Sequence, residues 1–371
     1  MRAGWQKKPL SEVSTINYGY TESASSEPIG PRFLRITDIQ NDQVNWKTVP
    51  FCKIELADLP KYRLSSGDIV FARTGATTGK SYLVENPPEA IFASYLIRLR
   101  LLDKNLLPEF VALFFQTWGY WKSVNEGSSG SAQGGFNARK LGALVIPIPS
   151  LPEQQRIVAI LDEAFDGIAT AKANAEKNLK NARELFESHL HIEHTEKAFL
   201  GDLVDIKTGK LDANAAVEGG QYPFFTCSRE IYAIDKFAFD CEAILLAGNN
   251  AVGDFNVKHY KGKFNAYQRT YVVTVNAQNL VIYRFLYFQM LKSLKKFKEQ
   301  SVGAGTKFLK IGMIKDLEIS LPSLEIQQSI VSVMDSVREE TERLELIYQQ
   351  KIAALDELKK SLLHKAFNGE L

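Results

Sequence analysis

One fourteen-residue phrase occurs twice in this chain. Pro149-Ser150-Leu151-Pro152-Glu153-Gln154-Gln155-Arg156-Ile157-Val158-Ala159-Ile160-Leu161-Asp162 returns 173 positions later as Pro322-Ser323-Leu324-Glu325-Ile326-Gln327-Gln328-Ser329-Ile330-Val331-Ser332-Val333-Met334-Asp335. Each copy closes a stretch that reads as globular and opens one that reads as helical. A period this long rules out a solenoid, whose units run about 20–50 residues. The chain is a duplication, globule then helix, globule then helix, and 371 residues leave room for two cores.

The helical stretches carry a seam. Ile157, Leu161, Ala164, Ile168, Ala171, Ala175, Asn178, Ala182 and Leu185 follow alternating steps of four and three, the pattern of a coiled coil with alanines allowing close approach. The second copy repeats those steps less cleanly through Ile330, Met334, Val337, Thr341, Leu344, Tyr348, Leu355 and Leu362, with Lys351 falling at the repeat position of Asn178. Two helices of similar length in one chain pair most simply antiparallel, with a globule at each end and a pseudo-twofold axis between. About 40 helical residues at 1.5 Å each make a rod of roughly 60 Å. Four residues inserted into one helix are expected to move its end by about 6 Å.

The globules share an order of elements. In the first, short β-like runs (32–36, 68–72, 94–99) precede a helix beginning near Leu107-Pro108-Glu109 and reaching Trp121, a Gly/Ser-rich loop from Gly127 to Gly135, and a strand over 144–149. In the second, runs at 243–248 and 270–275 precede a helix over about 280–298, the loop Gly303-Ala304-Gly305 and a strand over 317–322. The entries also align, Pro9 through Gly19 against Phe199 through Gly209. The fold class expected is α+β, divided as globule 1–150, helix 151–195, globule 196–322 and helix 323–371.

Charge follows the same division. Residues 1–150 hold 17 Lys/Arg against 13 Asp/Glu, and residues 196–322 hold 17 against 13; the helical stretches hold 5 against 8 and 6 against 9. Mildly basic globules alternate with acidic helices, a split that suits globules touching phosphate and helices touching protein. The N-terminus has no apolar run of the signal-peptide kind, no stretch is apolar enough to span a bilayer, and Cys52, Cys227 and Cys241 form no CxxC motif. A cytoplasmic protein with reduced thiols is expected.

Several motifs invite enzymatic readings and fail them. Arg73-Thr74-Gly75-Ala76-Thr77-Thr78-Gly79-Lys80-Ser81 has one residue too few between its glycines for a nucleotide-binding P-loop. Its alternatives are a surface hairpin or a flexible loop offering Arg73, Lys80 and hydroxyls to DNA. Asn86-Pro87-Pro88 resembles the adenine-binding motif of amino-methyltransferases, but Glu89 stands where an aromatic residue must stack on the flipped base. His189, His191 and His194 lack the spacing and partners of a metal site. No Ser/His/Asp or Cys/His constellation is visible. In the second globule Gly248 to Gly253 takes the place of the Arg73–Gly79 loop, and the stretch Lys258 to Thr270 interleaves basic, amide and aromatic residues suited to backbone and base contacts.

A proline-ended strand followed by a Gln-Gln helix start, repeated after a second globule, resembles the specificity subunits of type I restriction–modification systems. The closing run Leu362-Leu363-His364-Lys365-Ala366-Phe367-Asn368-Gly369-Glu370-Leu371 and the run Asn181 to Leu190 are similar to that family's helix ends. Glu325-Ile326 departs from Pro152-Glu153 of the first copy. The resemblance implies a non-catalytic reader of double-stranded DNA whose globules are target-recognition domains, each contacting half of a bipartite, asymmetric site. The helices around Ile157–Leu185 and Ile330–Leu362 would set the gap and dock two methylation subunits, joined by two restriction subunits. S-adenosylmethionine, ATP and Mg²⁺ would serve those partners; no metal or cofactor is expected in this chain. The DNA contacts expected are Arg73, Thr77, Thr78, Lys80, Ser129, Gln133, Arg139 and Lys140 in the first globule. In the second they are Asn249, Asn250, Lys258, His259, Gln268, Arg269, Thr306 and Lys307. The alternatives are a related system with methylation and cleavage fused in one partner, or a self-contained methyltransferase or nuclease.

Overall fold

The computed structural model describes residues 4–40, 43–128, 135–190 and 196–371. The chain forms two compact units, 1–174 with 351–371, and 175–350, so the division runs through both long helices. Helix and strand are mixed in each.

In the first unit a four-stranded antiparallel sheet runs in the order Ser14–Tyr18, Leu96–Leu101, Ile69–Ala72, Ser81–Leu83. Ile69–Ala72 is buried on both faces, which explains its unbroken apolar sequence. Successive side chains of a strand point to opposite faces. Phe71 meets Phe115 edge-on with ring centroids 4.5 Å apart, while Val70 joins a second cluster with Leu34, Leu64 and Phe92. The helical run anticipated from Leu107 to Trp121 is two helices, Pro108–Phe114 and Trp118–Ser128. The break has a local cause: the Thr117 hydroxyl donates to the Phe114 carbonyl (2.7 Å) and accepts the Tyr120 amide (3.3 Å), diverting the helical ladder.

The second unit holds a six-stranded sheet in the order Val204–Thr208, Thr270–Val275, Phe239–Ala247, Val257–Ala266, Tyr222–Phe225, Ile231–Ile234. All pairs are antiparallel except Tyr222–Phe225 against Val257–Ala266. Its helical run is likewise split, into Tyr283–Lys292 and Leu294–Gln300, at Ser293, whose hydroxyl donates to the Gln289 carbonyl.

The aligned entries fold alike. Gln6–Pro9 pairs with Val145–Ile148 and Lys197–Phe199 with Glu318–Ser320. Each short strand passes through one helical turn (Leu10–Val13, Leu200–Leu203) into the first strand of its sheet.

The first long helix spans Leu151–His189 and the second Leu324–Asn368. In the first unit Ile157 and Leu161 share one core with Leu363, Ala366 and Phe367. There Lys172 pairs with Asp356 (2.8 Å) and Arg156 donates to the C-terminal Leu371 (2.6 Å), so the two segments run in opposite directions. In the second unit Arg183 pairs with Glu345 at 2.7 Å. Of the seam read from sequence, Ile157, Leu161, Ile168, Ala175, Ala182, Met334 and Thr341 are buried. Leu185 departs from it at 52% exposure, and Phe186 and Leu190 turn inward instead. Lys351 and Asn178 are exposed. The three cysteines are free, and burial pushes the Cys52 thiol up to about 11. Among the described residues no helix is long and apolar enough to cross a membrane.

Candidate nucleic-acid interface

The loop after Ile69–Ala72 is a tight hairpin into Ser81–Leu83, closed by the Gly79 amide on the Ala72 carbonyl (2.8 Å) and the Ala72 amide on Lys80 (2.9 Å). Thr78 donates its amide and hydroxyl to the Gly75 carbonyl, and Gly75 and Gly79 take positive φ of 80° and 88°, which glycine adopts without strain. A P-loop leads into a helix whose N-terminus holds phosphate; this loop leads into a strand. Thr74 bridges Gly135, and the Phe136 amide donates to the Arg73 carbonyl at 3.0 Å. The hairpin is thereby fastened to the segment carrying Arg139 and Lys140.

Arg73 stands 5.1 Å from the centre of the Tyr18 ring, whose hydroxyl accepts the Ala138 amide at 3.2 Å. Arg139 is exposed. Lys140 is occupied differently, donating to the Gly127 (2.5 Å) and Gly135 carbonyls. Lys80 lines a cleft of about 1120 Å³ with Trp46, Tyr82, Glu109 and Asp162. Ser129, Gln133, His191 and His194 lie outside the described residues.

The second unit makes a matching arrangement. The Gly248 amide donates to the Arg269 carbonyl (2.8 Å), and Asn249 and Asn250 pair in register with Phe308 and Lys307. Arg269 lies 5.9 Å from the centre of the Phe308 ring. Arg269, Asn249, Asn250, Thr306 and Lys307 thus share one edge. Asn250 shapes the turn itself, its side-chain Oδ1 accepting the Val252 and Asp254 amides (2.9 and 3.0 Å). Gln268 is held by Asp212 at 2.5 Å.

Lys258 and His259 belong to a different place. With Arg229, Arg284, Arg338 and Asp335 they line a cavity of about 510 Å³. Lys258 donates to the Ser228 carbonyl (2.6 Å) and to Asn256, and burial holds its ammonium below the ordinary lysine range. His259 meets Glu242 at 2.9 Å. Burial pushes the Glu242 carboxyl up, but Lys261 and His259 outweigh it and hold the group below its usual range.

Two sets of residues were not singled out in the sequence. Tyr18 and Phe308 support the arginines from positions remote in the chain. Gln154 and Gln327, inside the repeated phrase, are wholly buried and bind the junction between each globule and its helix. Gln154 accepts the Leu107 amide (2.9 Å) and donates to the Asn105 and Pro149 carbonyls (2.9 and 3.0 Å). Gln327 does the same with Ile282 (2.9 Å), Leu280 (2.7 Å) and Pro322 (2.8 Å). Beyond this amide the junctions differ. Arg284 pairs with Asp335, and Arg338 donates to the Tyr287 hydroxyl and to Glu342, both at 2.7 Å. At the corresponding positions of the first unit stand two acids, Glu109 and Asp162. Burial pushes the Asp162 carboxyl up, and Asp166, Glu109 and Glu85 push it further.

Comparison with known proteins agrees with this duplicated build. The model of the type I restriction modification DNA specificity domain matches residues 2–181 and again 192–353. Over 172 residues the chain is 41% identical to the type I restriction enzyme EcoDI specificity subunit of Escherichia coli, covering 46% of this chain and 37% of that relative's length. It is 23% identical over 415 positions to the type I restriction enzyme StySPI specificity subunit of Salmonella potsdam, covering 99% and 89% of the two chains. A solved structure from work on complex assembly and conformational transition of the type I R-M system superposes with a TM-score of 0.80 at 19% identity, covering 100% of this chain and 99% of that one. At that identity the last likeness concerns the fold alone. With the family model matching both copies of the duplication, this chain belongs to the family of type I restriction–modification DNA specificity subunits.

Proposed function

We propose that this chain reads a bipartite, asymmetric DNA site on behalf of a type I restriction–modification complex, one half-site for each of the globules 1–150 and 196–322. The observation that carries the reading is the repeated loop edge. In both units a glycine-bounded loop behind a central strand is fastened to the segment before the last strand, and an arginine near it stands by an aromatic ring, Arg73 of the loop itself by Tyr18 and Arg269 of the neighbouring turn by Phe308. An arginine so held keeps its planar donors in one orientation, as bidentate contact with guanine requires. Lysines on the same globules attract the duplex and release counterions.

The stretches 151–195 and 323–371 act as a spacer, paired as an antiparallel coiled coil with pseudo-twofold symmetry. The pairing is supported inside each unit by contacts in which one residue number rises as the other falls: Arg156 with Leu371, Lys172 with Asp356, Arg183 with Glu345. Their acidic outer faces dock two methylation subunits, which are joined by two restriction subunits. Methyl transfer and ATP hydrolysis belong to those partners, with their S-adenosylmethionine, ATP and Mg²⁺. Co-expression with the cognate methylation subunit, followed by mapping of methylated adenines, tests the proposal. A two-part motif with a fixed gap is the expected result; a continuous palindrome, or methyl transfer by the purified chain alone, would overturn it.

A further inference from the structure

The amide of the first glutamine in each Gln-Gln pair holds three chain segments at one point. Leu107 and Ile282 occupy the cap positions of the helices Pro108–Phe114 and Tyr283–Lys292, and the residues three further on, Phe110 and Phe285, have no side chain that could accept the cap amide. Their backbone amides are satisfied instead by Gln154 and Gln327, from the first turn of the long helices. The same side-chain amides donate to the loop before the globule's helix (Asn105, Leu280) and to the strand end entering the long helix (Pro149, Pro322). Both glutamines are 0% exposed, and their neighbours Gln155 and Gln328 are exposed. A buried amide with its acceptor and both donors used has one orientation. The three segments it joins therefore have one mutual angle.

We infer that Gln154 and Gln327 are positioning residues for split-site reading: each sets the angle at which its recognition globule leaves its long helix, and so how strictly the gap between half-sites is enforced. The inference rests on the bipartite reading proposed above. The two junctions are unequally supported. Asp335 pairs with Arg284 beside Gln327, whereas the counterparts Asp162 and Glu109 line one cleft with no ion pair between them. The first junction therefore depends more heavily on its glutamine.

The test uses the full chain co-expressed with its methylation subunit. Gln154→Met and Gln327→Met keep the volume and remove the hydrogen bonds; Gln155→Met is the matched control. Methylated adenines are mapped on a library carrying both half-sites with gaps one base pair shorter or longer than the preferred one. The expected result for Gln154→Met is unchanged half-sites with discrimination between gaps reduced on the order of tenfold, a smaller reduction for Gln327→Met, and none for Gln155→Met. Unchanged gap discrimination in a folded Gln154→Met chain would overturn the inference. So would loss of folding in both methionine variants, because the glutamines would then be general scaffold residues.

Amide hydrogen exchange on the unsubstituted chain supplies a reading independent of DNA. The Leu107 and Ile282 amides should exchange slowly in the original chain and quickly in the respective variants, and fast exchange in the original chain would refute the clasp. If the original complex methylates no two-part motif while those amides are protected, the bipartite reading fails and the clasp stands.

Discussion

Gly19 and Gly209 end the first strand of each sheet. Neither has the positive φ that usually explains a required glycine. The reason is space: a Cβ at Gly209 would lie 1.8 Å from the Ala266 carbonyl oxygen, and one at Gly19 would lie 2.3 Å from that of Ala93. Backbone has to move to admit a methyl group. Gly209→Ala and Gly19→Ala should each lower stability by about 1–3 kcal/mol, read as a drop in thermal midpoint, whereas Gly75→Ala meets no atom and is opposed only by its φ of 80°. The alignment of the two glycines was visible in the sequence, but their meaning was not, because the crowding carbonyls come from distant strands. The cations show the same limit. Arg73 and Arg269 were legible as candidates for DNA contact, yet nothing in the chain order reveals that Lys140 and Lys258 spend their donors on internal carbonyls. Replacing Arg73 or Arg269 by alanine should cost about 1–3 kcal/mol of DNA binding and relax specificity at one base position, while leaving the salt dependence of the affinity largely unchanged. Lys140→Ala should act chiefly by freeing the Gly127 and Gly135 carbonyls that it joins.

At the scale of elements, hydrophobic period and propensity located the long helices and a minority of the strands; Tyr222–Phe225, Ile231–Ile234 and Val257–Ala266 were not read as strands. They failed at the breaks. A single amphipathic run was expected where each globule has two helices, because one hydroxyl, Thr117 or Ser293, redirects the backbone. The junctions were legible as a motif and illegible as a mechanism, since the partners of Gln154 and Gln327 lie in another element. The acids of the repeated phrase give a test in which one substitution acts with opposite signs. Asp162 has its carboxyl pushed up by burial and then by neighbouring acids, so the folded state binds its proton more tightly than the unfolded state does. Its charged form therefore opposes folding once pH rises through the elevated value. Asp162→Asn should raise stability near neutral pH by less than about 1 kcal/mol, the group being exposed. That gain should vanish below the ordinary aspartate range, about 3.9. Asp335→Asn should instead lower stability by about 1 kcal/mol, because it strips Arg284 of its partner at a half-buried site. Thermal melts of the two variants across that pH range separate the signs; two shifts of the same sign would refute the account.

For the molecule as a whole, the two long helices were readable because a repeated phrase marks both of their starts. What remained hidden was the opposition of residues between the helices. Within the first unit Arg156 meets Leu371 and Lys172 meets Asp356; within the second Arg183 meets Glu345, which places Asn178 opposite Gln350. The spacer proposed above is lengthened with its seam in phase by inserting a whole heptad at opposed positions. Seven residues added after Asn178 and seven after Gln350 lengthen each helix by about 10.5 Å, or roughly three base pairs at 3.4 Å each. The methylated motif should keep both half-sites while its gap grows by about three base pairs. Its methylation should also slow. Three base pairs rotate the far half-site by about 100° around a duplex of roughly 10.5 base pairs per turn, and the DNA must untwist or bend to present its groove. The same heptad placed in only one helix leaves its partner unmatched, and should abolish split-site methylation without altering the binding of either half-site alone. If the paired insertion left the gap unchanged, the helices could not be what measures it.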